Sequence, residues 1–234
     1  LAFVTFDETG DRSFSFARKP GADTQLCWEE VDKTMIDEAK IFHFGTLSLT
    51  GEPARTTTQK AVAYAKEQGK LITCDPNLRK PLWATMEEAK AQILWSLQQA
   101  DVVKISDEEV DFLWGCTPEE GAEKLLSECG VSLAMVTLGP KGCLLKTANA
   151  ACPVPGPKVS PIDTTGAGDI FGGSAIWKLL QAKKTPEELN ESELLDIVSF
   201  ACTAAGLSTT NSGGISSVPD YESVLKALHG SKQR

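Results

Sequence analysis

Short apolar runs at 41–44, 71–74, 102–105 and 133–138 are separated by longer amphipathic stretches at about 52–68, 85–99 and 117–129. Runs this short suit strands buried on both faces, whereas the stretches between them repeat their apolar positions with a helical period. Gly69 and Gly130 close two of the stretches, as glycines close many helices. Strand, helix, strand, helix at this spacing leaves few topologies. Strands joined by a crossover helix lie parallel, the crossovers are right-handed, and the helices cover the sheet. After about residue 169 the pattern is mostly helical, over 170–181, 191 to about 209, and 221–228. The fold class that follows is α/β, a doubly wound, mostly parallel sheet covered by helices.

The beginning of the chain keeps a different rhythm. Phe3, Phe6, Phe14 and Phe16 flank a polar turn, Glu8-Thr9-Gly10-Asp11, which predicts a β-hairpin over residues 1–18. The expected organisation is a small β appendage at 1–20 followed by one α/β domain at 21–234. Opening inside a strand and without Met, the chain is expected to lack the beginning of its fold. No internal repeat or low-complexity segment interrupts the rest.

Charge narrows the partners. With 23 basic against 32 acidic residues the net charge is −9, which argues against a nucleic acid or an anionic membrane surface, since both need a field of Lys and Arg. An anionic small molecule needs only a locally positive pocket. The seven cysteines are dispersed, odd in number and never form CxxC, and there are only two histidines, His43 and His229. That pattern fits free thiols in a reducing cytosol better than a disulfide framework or a zinc site. No apolar run approaches membrane-spanning length and no signal-peptide pattern is present, so a cytoplasmic protein is expected.

The sharpest local feature is Asp163-Thr164-Thr165-Gly166-Ala167-Gly168-Asp169, which leads into a helical pattern. Three small residues let the backbone approach a ligand, and their N–H groups sit at a helix N-terminus, where the dipole favours an anion. Asp169 stands in the first helical turn beside that anion. Phosphoryl transfer to an alcohol uses such a pair, amides for the developing charge and a base for the hydroxyl proton. The plainer alternative is a glycine-rich turn in which Asp169 is a helix-capping acid.

The run resembles the C-terminal motif of the ribokinase-like (PfkB) carbohydrate kinases. Asp75-Pro76-Asn77-Leu78-Arg79, continuing to Pro81-Leu82-Trp83, is similar to a segment of the fructokinases within that family. The segment from Ala100 through Lys104 and Ser106 to Glu109, the loop Thr137-Leu138-Gly139-Pro140-Lys141-Gly142, and the stretch from Ala204 to Pro219 resemble family segments in family order. The resemblance covers essentially the whole chain. It implies an ATP-dependent sugar kinase, nearest to fructokinase, with Asp169 as general base and Gly166, Ala167 and Gly168 as anion hole. Thr137, Gly139 and Gly142 are implied along the ATP phosphates, with Lys104 and Ser106 also on the nucleotide. Taken alone, the Thr137–Gly142 loop reads more readily as a hairpin turn before Cys143-Leu144-Leu145.

For the substrate, the resemblance implies Arg79, Asn77, Asp75 and Arg18. Glu109 would hold ATP-bound magnesium through water, and Asp163, Thr165, Ser208, Asn211, Gly213 and Ser217 would hold potassium. Residues 1–18 would be the remnant of a β lid, a part that pairs into homodimers in relatives. Two departures stand out. Ser106 replaces the Asn of the family's Asn-x-x-Glu motif, and the family's N-terminal units, with their Gly-Gly-Asn sugar motif, have no counterpart. At about 30 residues per βαβ unit, two or three units would be missing. Rival readings are a 2-keto-3-deoxygluconate kinase or ribokinase of the same family, and a non-catalytic kinase-like scaffold.

Overall fold

The computed structural model describes residues 2–6, 12–18 and 21–231. Strands β1 (Ala2–Phe6) and β2 (Arg12–Phe16) pair antiparallel, with Ala2 opposite Phe16. They form a two-stranded sheet of their own, as the alternating phenylalanines predict; the Glu8–Asp11 turn lies outside the described residues.

A short helix, α1 (Lys33–Glu38), leads into the predicted alternation. Strand β3 (Ile41–Gly45) leads to α2 (Ala54–Glu67), β4 (Leu71–Asp75) to α3 (Met86–Gln99), and β5 (Val102–Ser106) to α4 (Asp107–Trp114) and α5 (Pro118–Ser127). Strands β6 (Leu133–Thr137), β7 (Cys143–Lys146) and β8 (Ala151–Val154) follow, then α6 (Ala167–Ala182), α7 (Glu191–Ser208) and α8 (Tyr221–Ser231). The six strands lie in chain order, β3-β4-β5-β6-β7-β8. The pairs from β3 to β6 are parallel, and β7 and β8 add antiparallel. Among the described residues no helix is long and apolar enough to cross a membrane.

Alternation along the strands explains why helices cover both faces. Ile72, Cys74, Val103, Ile105, Ala134 and Val136 point into a core closed by Val62, Ile93, Val110 and Leu125 of α2 to α5. Their neighbours Val102, Leu133, Met135, Cys143 and Leu145 point the other way, into a core closed by Phe171, Leu179, Leu194 and Val198 of α6 and α7. A sheet apolar on both faces cannot remain half covered, because each buried side chain gains about 1.5–3 kcal/mol by leaving water.

Helix α1 has no counterpart in the sequence reading, and three further elements depart from it. Helix α4 occupies a stretch where periodicity predicts none. It starts in a capping box, in which Ser106 Oγ accepts the Glu109 N–H at 3.2 Å while the Glu109 carboxylate accepts the Ser106 N–H at 2.9 Å. Strand β8 contains Pro153, which lacks a ladder donor, and the edge position of β8 tolerates it. The apolar run at 133–138 stops being a strand after Thr137, because Leu138 already has φ −118°, ψ 29° and enters a turn.

The C-terminal ends of the parallel strands line up, Gly45 opposite Asp75 and Ser106 opposite Thr137. Ligands of open α/β sheets bind outside these strand ends. The amino end of α6 reaches the same region, where Gly168 lies against Lys104.

Candidate active site

Helix α6 begins in a way only glycine allows cheaply. Its N-cap, Gly166, has φ 78°, ψ −2°, the left-handed region, and a Cβ there would stand 3.4 Å from Gly214 Cα. Ala167, Gly168 and Asp169 then form the first turn at the positive end of the helix dipole; the Ala167 N–H donates to the Thr164 carbonyl at 3.3 Å, and the first-turn N–H groups have no acceptors inside the helix. Asp169 is exposed on this turn.

The approach to the turn is fastened to the loop after α7. Asp163 Oδ1 accepts the Thr165 N–H at 2.8 Å and Oδ2 accepts the Gly213 N–H at 3.0 Å. The Thr209 carbonyl accepts the N–H groups of Ile162 and Asp163, at 2.7 and 3.1 Å. One carboxylate thus holds two loops, so the predicted cation residues Asp163, Thr165 and Gly213 are neighbours. In the same loop the Asn211 N–H donates to the Ser208 carbonyl at 3.2 Å. Buried Ser208 and Ser217 donate their hydroxyls to the carbonyls of Ala205 and Gly214 at 2.7 and 2.8 Å.

Beneath the turn lies a charged floor on the sheet. Lys104 Nζ is 3.0 Å from Asp75 Oδ2, and both side chains are nearly buried. The same ammonium lies 3.1 Å from the position a Cβ on Gly168 would take. Asp75 Oδ1 accepts the Asn77 N–H at 3.2 Å, across a turn in which Asn77 adopts φ 48°. Burial is the main force lifting the Asp75 carboxyl to about 6; the Lys104 charge opposes it, and the Glu109 and Asp169 charges add to it. Buried Glu109 accepts the Leu78 N–H at 2.7 Å and also caps α4.

Asp169 stands where two cavities meet. One, of about 260 Å³, sets His43, Thr73, Asp75 and Lys104 of the sheet among apolar Val102, Met135 and Ile176 and is bordered by Gly172 and Gly173 of α6. The other, of about 500 Å³, is apolar and aromatic, with Trp177, Phe200 and Tyr221. A further cavity of about 420 Å³ brings Arg79 together with Ser106 and Glu109.

Not every expected residue joins this centre. The guanidinium of Arg18 pairs with Asp23 and donates to Thr50 Oγ1 and the Leu47 carbonyl, each at 2.8 Å; it lines none of these three cavities. Thr137, Gly139 and Gly142 form the tight connection between antiparallel β6 and β7, with the Leu138 N–H on the Gly142 carbonyl at 2.8 Å. At Gly142 φ is 104° and a Cβ would fall 2.0 Å from the Val154 carbonyl oxygen, so no other residue fits.

His43 carries no role in the sequence reading. Its Nδ1 lies 2.8 Å from Thr73 Oγ1, and burial is the main cause lowering its pKa, which the Asp169 charge partly offsets. The signal available was one polar residue within the run Ile41-Phe42-His43-Phe44.

Comparisons with known proteins show what the whole chain is similar to. The profile of the pfkB family carbohydrate kinase matches residues 1–221. Fructokinase-2 of Solanum lycopersicum is 40% identical over 231 residues, which are 98% of this chain and 70% of that protein. The fructokinase of Vibrio cholerae O395, solved with fructose, ADP and calcium, superposes with a TM-score of 0.86 at 34% identity, over 97% of this chain and 73% of that one. A double mutant of that enzyme, solved with fructose, ADP and potassium, gives the same score and identity over 97% and 72%. With the profile match running from the first strand into α8, the chain belongs to the pfkB family of carbohydrate kinases.

Proposed function

We propose that the protein is a fructokinase, which transfers the γ-phosphoryl group of ATP to the terminal hydroxyl of D-fructose and yields fructose 6-phosphate and ADP. The observation that supports this most directly is the position of Asp169, exposed on the first turn of α6 at the positive end of the helix and lining the cavity that also holds Asp75 and Lys104. Asp169 takes the proton of the acceptor hydroxyl as that oxygen attacks the γ-phosphorus, and the bond to the ADP oxygen breaks. The amides of the Gly166–Ala167–Gly168 turn and the Lys104 ammonium carry the charge spread over the transferred group. Thr137, Gly139 and Gly142 lie along the nucleotide, and Asn77 and Arg79 face the sugar or the moving phosphoryl.

The donor sets fit hard cations. Magnesium keeps most of its waters and takes one or two carboxylates with substrate phosphates; Glu109, beside Ser106 and Arg79 in one cavity, would hold ATP-bound magnesium through water. The joined loops of Asp163 and Thr165 with Ser208, Asn211, Gly213 and Ser217 offer only oxygen ligands and would hold potassium. Held there, magnesium would supply positive charge to the phosphates, and potassium would help to order the adjoining turn. The β1–β2 hairpin, as residues 1–20 distinct from a catalytic domain at 21–234, would close over the sugar, contribute Arg18 and pair with a second copy. Both substrates are small cytoplasmic molecules.

The test is ADP release with ATP and a panel of fructose, ribose and 2-keto-3-deoxygluconate, with the product identified by phosphorus NMR. Fructose should be preferred and phosphorylated at its terminal hydroxyl. ADP release no faster with any sugar than without one would favour the scaffold reading instead.

A further inference from the structure

By family resemblance Asp75 is a substrate contact, but its surroundings leave it little freedom to be one. It is 6% exposed, and both oxygens are engaged, one by Lys104 and one by the Asn77 N–H. Lys104 is also oddly placed. An ammonium beside the first turn of a helix meets the positive end of the dipole, where cations are disfavoured. A long flexible side chain left alone there would swing toward solvent and recover its rotamer freedom. What keeps it against Gly168 is the buried carboxylate behind it.

We infer that Asp75 is a positioning residue, holding the Lys104 ammonium against the first turn of α6 and fixing, with its other oxygen, the Asn77 turn that carries Arg79. The inference rests on the kinase reading. Before an anion binds, Asp75 offsets the repulsion between Lys104 and the helix end. When a phosphoryl group arrives, Lys104 already points at it, so no reorganisation is needed at the moment of transfer. One carboxylate thereby ties the phosphoryl side of the site to the Asn77–Arg79 side, which no single segment of sequence joins.

The test uses Asp75→Asn, Lys104→Met and the double variant, in steady-state kinetics and in ATP titration calorimetry. Asn keeps an acceptor for the Asn77 N–H and loses only the charge. Each single variant should lower kcat by roughly 10²-fold, the loss seen when one preorganised electrostatic group is removed. The KM for fructose should stay within about twofold of wild type, since no ground-state sugar contact is lost. The double variant should be no slower than Lys104→Met, because residues acting through one interaction do not add. Asp75→Glu, which keeps the charge, should recover part of the rate.

A raised KM for fructose at unchanged kcat in Asp75→Asn would make Asp75 a sugar contact and overturn the inference, as would additive losses in the double variant. ATP affinity separates this inference from the fructose assignment. Suppose the wild type turns over no fructose, yet ATP binding weakens equally in both single variants and no further in the double. Then the fructose reading fails and the positioning role stands. Melting curves of every variant confirm folding, and Asp75→Glu serves as the reading variant if Asp75→Asn melts without cooperativity.

Discussion

The turn that opens α6 and the floor beneath it are organised by opposite means. The turn is contiguous, and it is held by conformation and backbone hydrogen bonds, from left-handed Gly166 to the two N–H groups on Asp163. The floor is assembled from side chains on β4, β5 and α4: Asp75 and Lys104 hold each other by charge, whereas Glu109, held by the Leu78 and Ser106 N–H groups, adds a like charge near Asp75. Conformation responds to an added Cβ and hardly to pH. A charged floor does the reverse. A site that draws on both can be perturbed from each side separately, and the two responses identify which part was touched.

The largest expected effect belongs to the exposed end of the turn. Asp169→Asn keeps size and shape but cannot accept the hydroxyl proton, so kcat should fall roughly 10²–10⁴-fold. ATP affinity should barely change, because the amides remain. Asp169→Ala should behave alike, apart from about 1 kcal/mol of stability if the carboxylate also supports the helix end. Near wild-type turnover by Asp169→Asn, with Asp169→Ala merely less stable, would reduce Asp169 to a cap and end the proposed mechanism.

The same contrast explains what the sequence could reveal. The turn was legible because its constraints fall on seven adjacent residues, and a glycine forced to positive φ leaves its mark in the chain itself. The βα alternation was legible because Val103, Ile105, Ala134 and Val136 repeat a local pattern that burial demands. The floor was not. Asp75 and Lys104 are 29 residues apart, and nothing local to either says that strands β4 and β5 will set them side by side. His43 was overlooked for the same reason, since its partner Thr73 belongs to the next strand. Helix α4 escaped because its start depends on a capping box rather than on a long apolar period.

A pH series sharpens the comparison next. Asp75 ionises at about 6 in the folded protein against 3.8 for an ordinary carboxyl. As pH falls through 6 it takes a proton and releases Lys104, so kcat/KM should drop on the acid side, approaching roughly tenfold per pH unit. Stability from this group should move the other way. A raised folded pKa contributes stability that is complete below 3.8 and lost as pH rises through about 6. Lys104, Glu109, Asp169 and His43 are the ionisable groups around it, and protonation of His43 would persist in Asp75→Asn. The limb near 6 should vanish in that variant. Its survival there would place the ionisation on a group other than Asp75.

Potassium should act on the turn and leave the floor alone. The cation loops meet the approach to α6 through Asp163 and the Thr209 carbonyl, and Gly214 lies beside Gly166. Replacing potassium by tetramethylammonium at constant ionic strength should therefore lower kcat modestly, by roughly fivefold, the low end of coupling between linked sites. The acid limb of Asp75 should stay where it is. Activity indifferent to potassium would remove the cation assignment without touching the kinase reading.

Gly168→Ala should give the smallest change and is the most discriminating, because Gly168 is where the two regions touch. Gly168 lies inside α6 and is absent from the positive-φ glycines, so alanine meets no backbone strain. Alanine favours a helix over glycine by up to about 1 kcal/mol, and the melting temperature should hold or rise. The new Cβ, however, would stand 3.1 Å from Lys104 Nζ, closer than carbon and nitrogen pack comfortably. The ammonium is the movable partner, being the free end of a long side chain, and it should retreat by a few tenths of an ångström. A full 1 Å misplacement costs about 10²-fold, so this fraction should lower kcat roughly twofold to threefold. In the Lys104→Met background the same substitution should cost nothing further. If Gly168→Ala instead lowers the rate equally with and without Lys104, the added methyl acts on the amides of the turn, and the floor does not reach the phosphoryl group by this contact.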